Sequence, residues 1–273
     1  MKKLFKIIRS SLSDFILKLN SRNIIIVVFL IIIVLYLGFS IVAPIKKLNQ
    51  LNRVGTDCQQ EIPEAYTWLN EQPEFFSMNK NKTFLESRLI MSKSDSIGLA
   101  VNIPDSIIAI EIKGIILHSA RIEKYRVGRF FIGLEGQVYI NLFSSPLRIK
   151  QYDATIAKEP VIIKKAPKDT IEAAKSLVFP DTLQKEPTYI IFVLNNGFRL
   201  FIEQEKAGSF KAAKTRVLFR AGNQLKQACE NFLYMLRFQI PPYNPAIRIY
   251  VAREDAVAIY RALPESALVT IKI

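Results

Sequence analysis

Twenty consecutive residues, Ile24 to Ala43, carry no charge. As a helix rising about 1.5 Å per residue they reach about 30 Å, the thickness of a bilayer's hydrocarbon core. A helix of that length inside a globular core carries a polar stripe. Here the first polar side chains are Tyr36 and Ser40, close to the exit. The run predicts a transmembrane helix over residues 24–43. It exceeds the ~7–15 residues of a cleaved signal's apolar region. Ala43 also has bulky Ile41 two residues before it and Pro44 directly after it, where a cleavage site needs small residues. The expectation is an uncleaved signal anchor.

The flanks orient it. Lys2, Lys3, Lys6, Arg9, Lys18 and Arg22 precede the span against one acid, Asp14, while Lys46, Lys47 and Arg53 follow it. The larger excess lies before the span, which places the N-terminus in the cytoplasm and residues 44–273 outside it. Residues 1–23 are also amphipathic, with Leu4, Ile8, Leu12, Phe15, Ile16 and Leu19 at helical spacing. Such a segment lies in an anionic inner leaflet through its six cations.

The whole chain has a formal net charge of +14. Its cations are scattered and no nucleic-acid module appears, so nucleic acid is set aside as a partner. A membrane surface or an anionic envelope polymer suits the charge better. Cys58 and Cys229 are far apart and match no metal-ligand spacing; an oxidising compartment would allow them to pair.

Residues 44–95 read as a helical connector, with runs at Glu61 to Leu69 and Lys82 to Met91 interrupted by Pro63, Pro73 and the polar stretch Asn79 to Asn81. Trp68, Phe75 and Phe76 are expected to dock on the domain that follows. From Ser96 the pattern changes to strands. Ile97 to Ile103, Ile107 to Ile112 and Ile115 to Val127 form a meander, with a turn at Lys113-Gly114. A hairpin centres on Asn195-Asn196-Gly197, where Asn-Gly is expected to supply positive φ angles. Helices are expected at Thr170 to Val178, Phe210 to Arg237 and Arg253 to Ala262, and a last strand at Ala267 to Ile273. The predicted class is α+β, predominantly antiparallel β in the extracytoplasmic domain, with one N-terminal transmembrane helix.

His118 is the single histidine and sits in an alternating strand pattern. Nucleophilic mechanisms that rely on a histidine base have no second histidine to draw on. There is no Gly-rich phosphate loop and no spaced ligand set for a metal, so no cofactor is expected.

The stretch Ala246-Ile247-Arg248-Ile249, then Ala252 to Leu263, then Pro264 to Ile273 resembles the end of the L,D-transpeptidase (YkuD-like) catalytic domain. That family closes with Ser-His-Gly-Cys-Ile-Arg, an acidic-Ala helix ending in a Tyr-Arg type pattern, and a final strand. Ile97 to Val127 resembles the family's opening hairpin. Aligned on Ile247-Arg248, Ala246 stands at the nucleophilic cysteine, Asn244 at the histidine and Pro245 at the glycine. Alanine has no sulfur, so acyl transfer through a thioester has no nucleophile there. Cys229 lies upstream in a helical run and is not a displaced nucleophile. The resemblance implies a β-rich domain over residues 96–273, with Arg199, Tyr243, Asn244 and Arg248 as candidate binding residues beside the former nucleophile position. It implies a non-catalytic, single-pass protein of a bacterial inner membrane, its main domain periplasmic, that binds peptidoglycan or a cell-wall enzyme. A structural subunit of a membrane complex and an enzyme using carboxylate acid–base chemistry remain as alternatives. Nothing in the sequence fixes the oligomeric state.

Overall fold

The computed structural model describes residues 21–57, 73–134, 136–158, 187–205, 210–237 and 239–273. The basic segment expected at the N-terminus up to residue 20, the run Glu61 to Leu69, Cys58 and the helix expected at Thr170 to Val178 lie outside the described residues. Contacts divide the chain into two units. One holds the chain to Lys47 together with Gln227–Pro242; the other holds Leu48–Lys226 and Tyr243–Ile273.

In the first unit, the uncharged stretch lies in helix α1, Ser21–Asp57, which is 37 residues long. It does not stop at Ala43 but continues through Pro44, at the cost of one backbone hydrogen bond. Ile26, Leu30, Val34, Leu37 and Ile41 are all exposed along it. Among the described residues no helix is long and apolar enough to cross a membrane; several side chains between Ile24 and Ala43 are outside that description.

The second unit begins with the last turns of α1, where Leu48 and Leu51 pack on the main core. Helix α2, Pro73–Ser92, starts on a proline, the position where a missing N–H is no loss. The expected break at Asn79 to Asn81 does not occur. Phe76 does dock, its ring edge-on to Tyr139 at 6.1 Å.

The described residues also form nine strands: β1 Gly98–Asn102, β2 Ile107–Ile112, β3 Ile115–Arg121, β4 Lys124–Val127, β5 Leu147–Ala154, β6 Tyr189–Leu194, β7 Arg199–Gln204, β8 Ala246–Val251 and β9 Leu268–Lys272. Their order is β3-β2-β1-β9-β5-β6-β7-β8-β4. Among the described strands only β1·β9 and β7·β8 pair in parallel, so the fold is α+β with a mostly antiparallel sheet. The run 115–127 was expected to be one strand. It splits, and β3 and β4 occupy opposite edges although two residues separate them. Nine strands laid flat would be about 38 Å wide, whereas two residues reach about 7 Å. The sheet therefore folds over on itself, and it does so at β5. Leu147 and Arg148 pair with β9, residues from Ile149 pair with β6, and a bulge falls between Ile149 and Gln151. Ile122 and Glu123 stitch the edges, donating to the carbonyls of Ser106 and Tyr250.

The two hairpin turns exchange the roles the sequence suggests. Lys113 (φ 52°) and Gly114 (φ 81°) both take positive φ, the requirement of a two-residue type I′ turn. At Asn195-Asn196-Gly197 only Gly197 does (φ 83°). Its N–H donates to Leu194 C=O, and Leu194 N–H donates to Phe198 C=O. That is a three-residue loop with glycine at the left-handed position.

The folded sheet encloses Leu99, Val101, Ile108, Ile110, Ile190, Leu200, Ile202, Ile247, Ile249 and Val269, all at most 2% exposed. Two short helices that the sequence reading left unassigned, α3 Arg129–Ile132 and α4 Gly136–Phe143, close one end with Phe130, Phe131, Tyr139 and Phe143 around Phe198. Strand β5 was likewise unassigned. Helix α5, Phe210–Leu236, is 27 residues long. Helix α6, Arg253–Ala262, falls where expected and buries Ala256, Ile259 and Tyr260.

Candidate functional site

The period of two divides β7 and β8 into two faces. Leu200, Ile202, Ile247 and Ile249 point to the core. The opposite face takes Arg199, Phe201 and Glu203 from β7 and Ala246, Arg248 and Tyr250 from β8. Register aligns these as rows: Arg199 beside Ala246, Phe201 beside Arg248, Glu203 beside Tyr250. Strand β4 extends two rows, with Arg126 opposite Arg248 and Lys124 opposite Tyr250.

At one end of this face the first part of α5 supplies polar partners. The Glu203 side chain is 3% exposed and accepts from Arg220 at both carboxylate oxygens, 3.2 Å from Nε to Oε1 and a shorter contact from Nη2 to Oε2. Arg220 Nη2 also donates to the Tyr250 hydroxyl at 3.3 Å. Burial lowers the Arg220 pKa, but the hydrogen bond and charge of Glu203, with Tyr250, outweigh it and leave the group raised. A second cation reaches the same carboxylate: Arg248 Nε lies 3.3 Å from Glu203 Oε1. That approach is electrostatic, since Nε has no aligned hydrogen bond. The Arg248 guanidinium stacks 4.9 Å from the Phe201 ring centre, a favourable cation–π position. Arg216 ties α5 down through the carbonyls of Gln204 and Glu205 and the Tyr189 hydroxyl.

At the other end of the face Ala246 is half-buried, as are Arg199, Asn244 and Arg248. Arg199 N–H donates to Pro245 C=O at 2.8 Å, and Gly128 N–H to Ala246 C=O at 3.1 Å. A Cβ at Gly197 would come 3.1 Å from Asn244 Oδ1 and one at Gly128 3.2 Å from Ala246 C=O, so glycines let the backbone close around position 246. The structure thus brings Arg199, Asn244 and Arg248 around Ala246. Tyr243 differs: its ring packs 5.7 Å from that of Phe130 and against the main core, and burial raises its pKa.

Glu203, Arg220, Arg126 and Tyr250 were not singled out from sequence. The signal for Glu203 is a charged residue in an otherwise apolar alternation, Leu200 to Ile202. His118 is elsewhere, 2.9 Å from Asp255 of α6. Cys229 is exposed on α5. Among the described residues no three histidine, cysteine or acidic side chains come together to hold a metal ion.

Chemically the face is a basic row with an apolar floor. Two guanidinium groups share one buried carboxylate, so cationic charge exceeds anionic charge between them. Planar guanidinium forks match carboxylates in geometry. The shape suits an anion, with no thiol or hydroxyl nucleophile at position 246. No protein-family model, curated protein or solved structure matches the chain.

Proposed function

We propose that this is a membrane-tethered, non-catalytic, transpeptidase-like protein whose basic face binds carboxylate-bearing peptides of the cell wall. The observation that carries the reading is the placement of Ala246. It is half-exposed at the head of β8, with Arg199 in register beside it and Arg248 two residues on along the same face. A resemblance produced by chance would leave that position free to sit inside the continuous apolar core. Its half-exposure among arginines agrees instead with a degenerate substrate groove that has kept its anion recognition and lost its thiol.

The anchor in this reading is residues 24–43. Its support is the unbroken α1 and the exposure of Ile26, Val27, Leu30, Ile33, Val34, Leu37 and Ile41 in one continuous apolar stripe along it. Water does not tolerate so large a continuous apolar surface, and a bilayer does. The extracytoplasmic orientation follows from the charge flanks.

Retention of the detergent-solubilised full chain on purified peptidoglycan sacculi tests the proposal. Binding is expected to be displaced by stem peptides with free carboxylates and not by their amides, and to fall at least several-fold in Arg199→Gln. Absence of retention, or equal displacement by the amides, rejects the carboxylate reading.

A further inference from the structure

Helix α5 has its polarity reversed. Its inward side presents Arg216, Phe219, Arg220 and Asn223, and among its described residues only Ala212 is buried. Its outward side is apolar. Leu218, Leu225 and Phe232 recur at seven residues, and so do Gly222, Cys229 and Leu236. Leu218, Leu225 and Leu236 are 61%, 67% and 61% exposed. A helix that turns its arginines to the protein and its leucines outward is not built to face water.

Charge identifies what covers the stripe. Lys211, Lys214, Lys226 and Arg237 are exposed on the helix or at its end, against the single acid Glu230. A second copy would set like charges against each other along the seam. An anionic lipid surface complements them, with leucines entering the acyl boundary and lysines reaching the headgroups. Residues Gln227–Pro242 also belong to the same compact unit as α1 up to Lys47. We propose that the outward face of α5 lies in an anionic membrane surface, as a second, interfacial contact beside the anchor. The inference rests on the anchor reading given above.

The test uses the full chain in vesicles of phosphatidylcholine with phosphatidylglycerol. An environment-sensitive fluorophore is placed on Cys229 in a Cys58→Ser background. A parallel Val34→Cys protein, with both native cysteines replaced by serine, carries the label in the anchor. Shallow lipid-borne quenchers are expected to quench the label at 229, and deep ones the label at 34. Omitting phosphatidylglycerol should weaken only the former. Adding Leu225→Glu and Phe232→Glu should lower the bound population of the helix about tenfold or more, the scale of burying one large apolar side chain. Quenching at 34 without quenching at 229 overturns the interfacial contact and leaves the anchor intact. Loss of quenching at both sites removes the anchor and the inference with it. Ready oxidation of the unlabelled Cys58→Ser protein to a Cys229-linked dimer, with the label at 229 in the parallel labelled protein shielded from quenchers, assigns the stripe to a second copy and overturns the inference.

Discussion

Glu203→Gln removes one negative charge and little volume from a buried carboxylate that two arginines approach. The carboxylate is 3% exposed, accepts two bonds from Arg220 and faces Arg248 at 3.3 Å. Breaking a fully buried pair by removing one partner costs about 3–5 kcal/mol. Arg220 and Arg248 are 31% and 26% exposed, so water takes up part of their charge when the carboxylate is gone. An amide still accepts one hydrogen bond, but its NH2 confronts the guanidinium groups. The expected loss is therefore about 2–3 kcal/mol. Urea unfolding of the solubilised chain, followed by far-UV circular dichroism, should show a lower midpoint with an unchanged slope. Glu203→Leu combined with Arg220→Met removes both halves of the bidentate pair and should recover part of that loss, because apolar replacements need no counter-charge while Arg248, 26% exposed, is left to water. A Glu203→Gln protein within about 0.5 kcal/mol of the parent would refute the idea that this carboxylate holds the arginines. So would a double variant less stable than the single one.

Two further changes probe the fold. Tyr139 is buried, and burial pushes its hydroxyl pKa from 10.0 up to about 12. The folded state therefore favours the protonated form, so this group's contribution to stability is full below pH 10 and is lost between pH 10 and 12 as the unfolded chain ionises first, by up to about 3 kcal/mol. Tyr139→Phe should flatten that decline while losing about 1 kcal/mol at neutral pH with the bond that Ile273 N–H donates to the hydroxyl; a pH series of unfolding midpoints reads both. Lys113 holds φ 52° in the β2–β3 turn, a conformation that costs an ordinary residue about 1 kcal/mol, and its ion pair to Asp95 is exposed and worth little. Lys113→Asn is expected to raise stability by about 0.5–1 kcal/mol in the same urea assay.

The parts of the fold legible in the sequence are those held by local periodicity. Strands β1, β2, β6 and β7 alternate or run apolar between turn residues, and α6 lies between the break at Ala252 and Pro264. The split of 115–127 was not legible, because Ile122 keeps the apolar pattern going while the chain crosses from one sheet edge to the other. That crossing is a property of sheet closure, which no short window contains. Helices α3 and α4 are too short for a 3.6-residue period to declare itself. Asn79 to Asn81 read as a break on propensity, but the packing of Phe76 and Phe84 carries the helix through. Arg199 and Arg248 entered through the residues around Ala246. Glu203 did not, since its value depends on Arg220, which lies 17 residues further on, in α5.

The same carboxylate explains why α5 faces the way it does. A helix on a sheet ordinarily turns its apolar stripe inward. Within residues 210–226, rotating α5 by half a turn would cover Val217, Leu218 and Leu225, each worth about 1.5–3 kcal/mol when fully buried. It would release Arg220 from Glu203, at the cost of about 2–3 kcal/mol worked out above, and Arg216 from its carbonyls. In water the two orientations are close, and the apolar term has the larger reach. An apolar medium on the outer side changes the comparison: the leucines then lose nothing by pointing outward, and the arginine network decides the orientation alone. The inward arginines and the outward leucines are thus one arrangement, with the Glu203 network on one side and the proposed membrane contact on the other. Arg220 reaches the buried Glu203 from α5, and turning that arginine inward leaves α5 with an outward apolar surface that the proposed lipid contact would satisfy.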